Sequence, residues 1–236
     1  MVFTLSAPLP GDAAVGRVLV TGAAGRIGSG FLRHVAGRYV LRATDVRPVD
    51  IEDFVLADLG DPAALARACE DVDTVVHLGA NPSLLADWDS LLPANIVGTH
   101  NLFAAASEAG VRRVVFASSV HAVSGYPAGK QVSAADPVNP GNLYGVTKAF
   151  GEALGRYYAE QRGMSVIALR IGAFHTEGTT PEPEPYNDFL HLLETDLYRI
   201  IVRAIDVRGV QYAVVNAISD QLGGRLDITG TRELLG

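Results

Sequence analysis

The stretch LYGVTKAFGEAL, residues 143–154, sets Tyr144 four positions ahead of Lys148. On a helix, that spacing makes two side chains neighbours on one face. A phenol titrates near 10, too high for a base at neutral pH, and a nearby ammonium favours its phenolate. Such a pair can take a proton from a hydroxyl group. Spacing alone does not establish this chemistry. The chain has only two lysines, and the other, Lys130, follows Tyr126 by the same four positions in YPAGK. Pro127 and Gly129 break helical geometry there, so no shared face is predicted for Tyr126 and Lys130. After Lys148 the run AFGEALGRYYAEQ keeps helical spacing.

Oxidising an alcohol also needs a hydroxyl to orient the substrate oxygen and an acceptor for the hydride. RVVFASSV ends a β-branched run with Ser118 and Ser119, and Ser119 lies 25 residues before Tyr144. VLVTGAAGRIGSGF places Gly22, Gly25 and Gly28 directly after an apolar strand and at the start of a helix. The first glycine permits a tight turn, the second lets a pyrophosphate approach the backbone, and the third lets helix and strand pack closely. The helix N-terminus then offers N–H groups and a positive dipole end to phosphate. Asp45, 23 residues after Gly22, ends the next strand, where a carboxylate can take the adenosine ribose hydroxyls. Its charge repels a 2′-phosphate, so NAD is favoured over NADP, although Arg42 and Arg47 lie near enough to bind that phosphate. Asp58, followed by Leu59, comes after the third strand, and either reaches the adenine or caps a helix.

These residues need a scaffold, and the chain supplies one. β-Branched runs at GRVLVTG, YVLRATD, DFVLADL, DTVVHLG, RRVVFASS and MSVIALRIG alternate with helical spacing at GSGFLRHV, DPAALARACED, SLLPANIVGTHNLFAAASEAG and YGVTKAFGEALGRYYAEQRG. That alternation predicts an α/β fold: a doubly wound parallel sheet with ligands at the carboxyl ends of its strands. Residues 1–16 read as a flexible leader and 17–172 as a Rossmann core carrying the Tyr–Lys helix. Residues 173–236 read as a substrate-side loop and small C-terminal cap of a helix or two. The loop opens with GAFHTEGTTPEPEPYNDF, rich in Pro, Gly and acids.

With 236 residues, 48% hydrophobic and 19% charged, the chain suits one well-buried soluble domain. A net charge of −7 argues against nucleic acid or an anionic membrane as partner. No apolar run reaches the ~18 residues of a membrane span, and the first residues lack a signal-peptide pattern. The single cysteine, Cys69, fits a reducing cytoplasm and reads as a small helix residue. Arg113, Arg156 and Arg162 read as solvated charges.

TGAAGRIG, the strand-end Ser119 and the Tyr144–Lys148 pair resemble the extended short-chain dehydrogenase/reductases, the NAD-dependent epimerase/dehydratase superfamily, over residues 17–172. The resemblance implies Tyr144 as general base, Lys148 as its activator and ribose ligand, and Ser119 as the substrate-orienting hydroxyl. It adds Asn95, in NIVGTHN, as a residue that helps position Lys148. It also implies cofactor contacts along Gly22, Gly25, Arg26, Ile27, Gly28, Asp45, Asp58, Leu59, Leu78, Gly79 and Ala80, together with Tyr144 and Lys148. HLGA, VVFASSVHAV, LYGVTKAFGE and ALRIGAF are most similar to the uronate dehydrogenases within that family. That likeness implies substrate contacts at Ser118, Ser119, His121 and position 173, and a homodimer through helices near 90–109 and 144–162. His121 also reads as an ordinary polar loop residue.

Three positions depart from the uronate dehydrogenase pattern. Ala173 stands where a serine is usual, and Val120 where an asparagine precedes the histidine. No Arg or Lys occurs from Ile171 to Tyr198, where an arginine for the uronate carboxylate is expected; six acids stand there instead, Glu177, Glu182, Glu184, Asp188, Glu194 and Asp196. A neutral sugar suits such a loop better than an anion. Two other readings stand beside the sugar dehydrogenase. One is a sugar-nucleotide epimerase or dehydratase, which is expected to need more than the 66 residues after Arg170. The other is a non-catalytic NAD(H)-binding sensor, which has no need of the Tyr–Lys pair.

Overall fold

All six β-branched runs form strands, and all six lie parallel in one sheet. The structure is a computed structural model that describes residues 16–176, 190–219 and 224–236. Residues 1–15 of the leader, and Glu177, Glu182, Glu184 and Asp188, lie outside the described residues.

The elements run β1 (Arg17–Thr21), α1 (Arg26–His34), β2 (Val40–Asp45), β3 (Phe54–Leu56), α2 (Pro62–Cys69) and β4 (Thr74–His77). Next come α3 (Trp88–Leu91), a π-helical stretch over Leu92–Gly98 and α4 (Thr99–Glu108). Then follow β5 (Arg113–Ser119), a 3-10 turn over Val120–Val123, α5 (Leu143–Arg162) and β6 (Ser165–Ile171). The last part holds β7 (Ala173–His175), β8 (His191–Leu193), α6 (Glu194–Asp206), β9 (Tyr212–Ala217) and α7 (Thr229–Leu235). Helix ends follow local chemistry. Asp61 accepts from the N–H groups of Ala63 and Ala64 to cap α2, with Pro62 at its first position. Asn142 caps α5, and Gly163 ends it in the left-handed conformation at φ 70°.

The main sheet has the order β3-β2-β1-β4-β5-β6-β9. Chain order reverses between β1 and β4, which opens a crevice at their carboxyl ends. Helices cover both faces, so every residue of β5 and β6 is buried. Phe31, Leu197, Ile201 and Ile205 fill one side of the sheet. Leu65, Cys69, Leu102, Phe103 and Tyr158 fill the other. Cys69 is a packed core residue whose thiol burial pushes up to about 12, which leaves it unreactive.

Three findings differ from the sequence reading. The sheet continues past 172, because YAVVNA (212–217) adds a seventh parallel strand beside β6. Part of the segment after 172 therefore belongs to the sheet. Arg113 is not solvated: it is 1% exposed, and its guanidinium donates to Ser165 Oγ and to the carbonyls of Ala204, Ile205 and Val207. The last carbonyls of α6 need donors, and a cation suits that end of the dipole. Finally, Tyr126 and Lys130 do meet, with Nζ 4.1 Å from the ring centroid. A turn brings them together where a helix could not.

Candidate active site

The carboxyl ends of β1, β2, β4, β5 and β6 open into a cleft of ≈ 830 Å³. At one end lies the glycine loop. Gly22 has φ +68°, and a Cβ there would come within 2.7 Å of the Gly79 nitrogen. A Cβ on Gly28 would stand 2.2 Å from the Gly22 carbonyl oxygen, so only glycine lets α1 approach β1 so closely. No side chain caps α1 at Gly25, and its first turn carries no acid. An uncapped helix N-terminus facing a cleft fits a dinucleotide pyrophosphate.

Asp45 is fixed by two backbone donors, the Ala24 N–H to Oδ2 and the Arg47 N–H to Oδ1, both at 3.0 Å. Arg47 lines the same end and donates to the Ala24 carbonyl. Arg42 is engaged elsewhere, bonded to Asp53 and to carbonyls at the end of α2. Asp58 is no helix cap; its Oδ1 accepts from the Gly60 N–H, and the residue borders the cleft with Leu59. Ile27, Leu78, Gly79 and Ala80 complete the wall here. Arg26 spans the cleft, donating to the Phe174 carbonyl at 3.0 Å with its guanidinium 5.3 Å from the Phe174 ring centroid.

At the other end, β5 and the start of α5 bring Ser119, Tyr144 and Lys148 to one wall with His121. Ser119 Oγ accepts from the His121 N–H at 3.2 Å, and its hydroxyl lies near enough to the Tyr144 phenol to draw that group's titration down. Lys148 Nζ donates to the Ala117 carbonyl at 2.8 Å and lies 5.5 Å from the Tyr144 ring centroid. Burial dominates the titration of both groups. The Lys148 ammonium is pushed down to about 8, and the Tyr144 phenol up to about 12 against the opposing pull of Ser119. The ammonium thus does not, in this geometry, carry the phenol into the neutral range.

Asn95 sits in the π-helical stretch and is 2% exposed. Its side chain clamps the backbone of Asn81, accepting from the N–H at 2.7 Å and donating to the carbonyl at 3.0 Å. It also donates to Thr147 Oγ1 at 3.1 Å, so it holds the residue beside Lys148 directly. Asn81 itself borders the cleft, a residue the sequence did not single out. His77, the last residue of β4, is buried against Phe116 near Lys148 and is held neutral, down to about 3, chiefly by burial. Thr21 Oγ1 accepts from the Gly79 N–H at 3.1 Å and shares a hydrogen bond with His77 Nδ1 at 2.7 Å.

Two expected substrate contacts are placed differently from Ser119 and His121. Successive residues of a strand face opposite ways, and Ser118 points into the core. The residue borders the cleft, while its hydroxyl donates to Glu152 Oε1 at 2.6 Å, beside the buried Glu152–Arg170 pair. Ala173 donates its N–H to the Leu190 carbonyl and does not border the cleft; Gly172 and Phe174 on either side of it do. Phe174 carries no sequence signal, because its place depends on β7 pairing with β8.

Residues 18–199 match the model of the NAD dependent epimerase/dehydratase family. The chain belongs to that family. Among similar proteins is an NAD-dependent glucose-6-phosphate dehydrogenase of Haloferax volcanii, 34% identical over 93% of this chain and 91% of that one. A uronate dehydrogenase of Agrobacterium fabrum is 37% identical over 75% of this chain and 70% of the relative. A point mutant of the Agrobacterium tumefaciens uronate dehydrogenase, solved in complex with NAD, superposes with a TM-score of 0.84 at 32% identity, covering 94% and 83% of the two chains. The protein is thus a uronate dehydrogenase-like member of a family of NAD-dependent oxidoreductases and epimerases. Among the described residues no helix is long and apolar enough to cross a membrane.

Proposed function

We propose that this family member transfers hydride between NAD and a hydroxyl-bearing carbon of a sugar or sugar acid, with Tyr144 as the general base. The observation that carries the reading is that Ser119, Tyr144 and Lys148 stand in the same cleft as the glycine loop. NAD bound along Gly22, Gly25, Gly28 and Asp45 supplies the hydride acceptor. Ser119 orients the substrate hydroxyl, and Tyr144 Oη takes its proton as the carbon is oxidised. Lys148 commits one N–H to Ala117, leaving two for ribose hydroxyls, so a single side chain ties cofactor to base. Asn95 keeps that helix turn in register through Thr147. Asp45 favours NAD over NADP.

Two coarser features extend the proposal. Val97 in the π-helical stretch and Val146 and Tyr157 on α5 are 40–46% exposed, which supports pairing of two copies through these helices. The buried, reduced Cys69 supports a cytoplasmic setting.

The purified protein is expected to form NADH steadily, read at 340 nm, when given NAD and an aldose or uronate. Interconversion of a UDP-sugar without net NADH would move the assignment to an epimerase. NAD binding with no turnover of any sugar would move it to a sensor.

A further inference from the structure

We propose that Asn142, a residue outside the catalytic set, fixes the tautomer of His121 and makes the substrate end of the cleft a reader of neutral hydroxyl groups. The inference rests on the dehydrogenase reading above and names its substrate class: an uncharged sugar.

The argument begins with the cap of α5. Asn142 Oδ1 accepts from the Gly145 N–H at 2.8 Å. That bond fixes which way the amide points, since the reversed amide would set two donors against each other. Asn142 Nδ2 therefore faces His121 Nδ1, 3.1 Å away. An amide NH2 only donates, so Nδ1 must be the acceptor and carries no proton. The ring proton is then on Nε2, and His121 borders the cleft beside Tyr144, with the rings in an edge arrangement at 6.0 Å. An imidazolium would need a proton on Nδ1 and would break the bond to Asn142. Burial of the imidazole acts in the same direction, holding it below its ordinary range. His121 thus presents one neutral N–H donor, suited to a hydroxyl oxygen and offering no charge to a carboxylate.

The placement of the cations agrees. All 19 Lys and Arg residues fall among the described residues. Three of them border the cleft: Arg47 beside Asp45, Arg26 at the start of α1, and Lys148. Arg47 belongs to the adenosine end, Arg26 is tied to Phe174 beside the phosphate loop, and Lys148 is bonded to Ala117. Of the cations near the far side, Arg225 donates to the carbonyls of Ser124 and Tyr126, Lys130 pairs with Asp136, and Arg199 pairs with Asp196. Lys148 shares the wall with Ser119 and His121, but its two remaining N–H groups serve the ribose, and no second cation borders the cleft there to match a substrate carboxylate or phosphate.

Two measurements test this. The first compares kcat/KM with NAD for matched pairs, galactose against galacturonate and glucose against glucuronate or glucose 6-phosphate, with L-arabinose as a sugar lacking C6. The neutral partner is expected to be preferred by at least about tenfold. Equal or better use of the anionic partners would overturn the inference while leaving the dehydrogenase reading intact. Turnover of no sugar would sink both. The second needs no activity: nitrogen NMR of the imidazoles, assigned with His121→Gln, is expected to show neutral, Nε2-protonated His121 at pH 7. A proton on Nδ1 overturns the proposal. In Asn142→Asp the carboxylate still caps α5 but can only accept a hydrogen bond, which favours a proton on Nδ1, so the His121 signal is expected to change form. The KM for the neutral sugar is expected to rise about tenfold or more, with a smaller change in kcat. An unchanged KM there would show that the tautomer does not govern recognition.

Discussion

The two Tyr–Lys pairs have the same spacing and opposite environments. Lys130 stands 4.1 Å over the Tyr126 ring, closer than Lys148 at 5.5 Å from the Tyr144 ring. Proximity therefore does not distinguish the pair proposed as reactive from the other. Lys130 is solvent-facing and paired with Asp136, which holds its ammonium above the ordinary lysine range. Lys148 is 5% exposed, has no carboxylate partner among the described residues, and is pushed down to about 8 by burial. The first pair uses charge to fasten a turn. The second stores an incompletely solvated charge beside a cleft that holds a phosphate-binding loop.

Breaking this contrast should give its largest effect at the tyrosines. Tyr144→Phe removes the proposed proton acceptor and is expected to lower kcat by about 10²–10⁴-fold, whereas Tyr126→Phe should leave it within twofold. The rate should also climb as pH rises above neutrality in the wild-type enzyme, since the phenolate is the active form and burial holds the phenol up at about 12.

The lysines sharpen the comparison through stability. Because the folded-state value of Lys148 lies below its ordinary one, the unfolded chain binds more protons between about 8 and 10.5. The cost of burying the charge is present in full below about 8 and fades as pH rises through that window. Lys148→Met should thus raise Tm at pH 7, by about 2–4 °C for each kcal/mol relieved, while lowering kcat by roughly tenfold or more. A fall in Tm would mean that the ammonium is better solvated than its surroundings indicate. At pH 10 the gain should shrink.

The smallest effect is expected at the exposed pair. Asp136→Asn or Lys130→Met should leave kcat unchanged and move Tm by no more than about 2 °C, as read by calorimetry. A larger loss would mean that the 124–141 segment depends on that ion pair for its fold.

The sequence exposes those parts of the molecule that depend on local pattern. The glycine loop, the acid ending β2, and the helix behind Tyr144 are legible because each is defined by spacing within one or two elements. Ser118 was legible in principle, because strand alternation places it opposite Ser119, yet two adjacent serines read alike until the face is fixed. Arg113 and β9 were not legible. A charged residue in a strand reads as solvated unless the carbonyls of α6 are known to lie over it. YAVVNA is too short an apolar run to be placed in the sheet before its neighbour β6 is known. Asn142 signals a helix cap, and nothing local reveals that its other amide end meets His121, 21 residues back. In each case the missing information is a contact between distant segments.

Gly145 shows what fixes the gap between those segments. A Cβ at that position would stand 2.2 Å from the His121 carbonyl oxygen, so the first turn of α5 rests backbone to backbone against the 120–123 turn. No rotamer intervenes to be adjusted. The spacing between Tyr144 and the groups opposite it is consequently a hard stop, insensitive to repacking of the surrounding side chains. Neighbouring positions are thus free to change the substrate accepted without disturbing the alignment of the proton acceptor. A larger residue at 145 would open the gauge itself, and a misplacement of ~1 Å is worth about a hundredfold in rate.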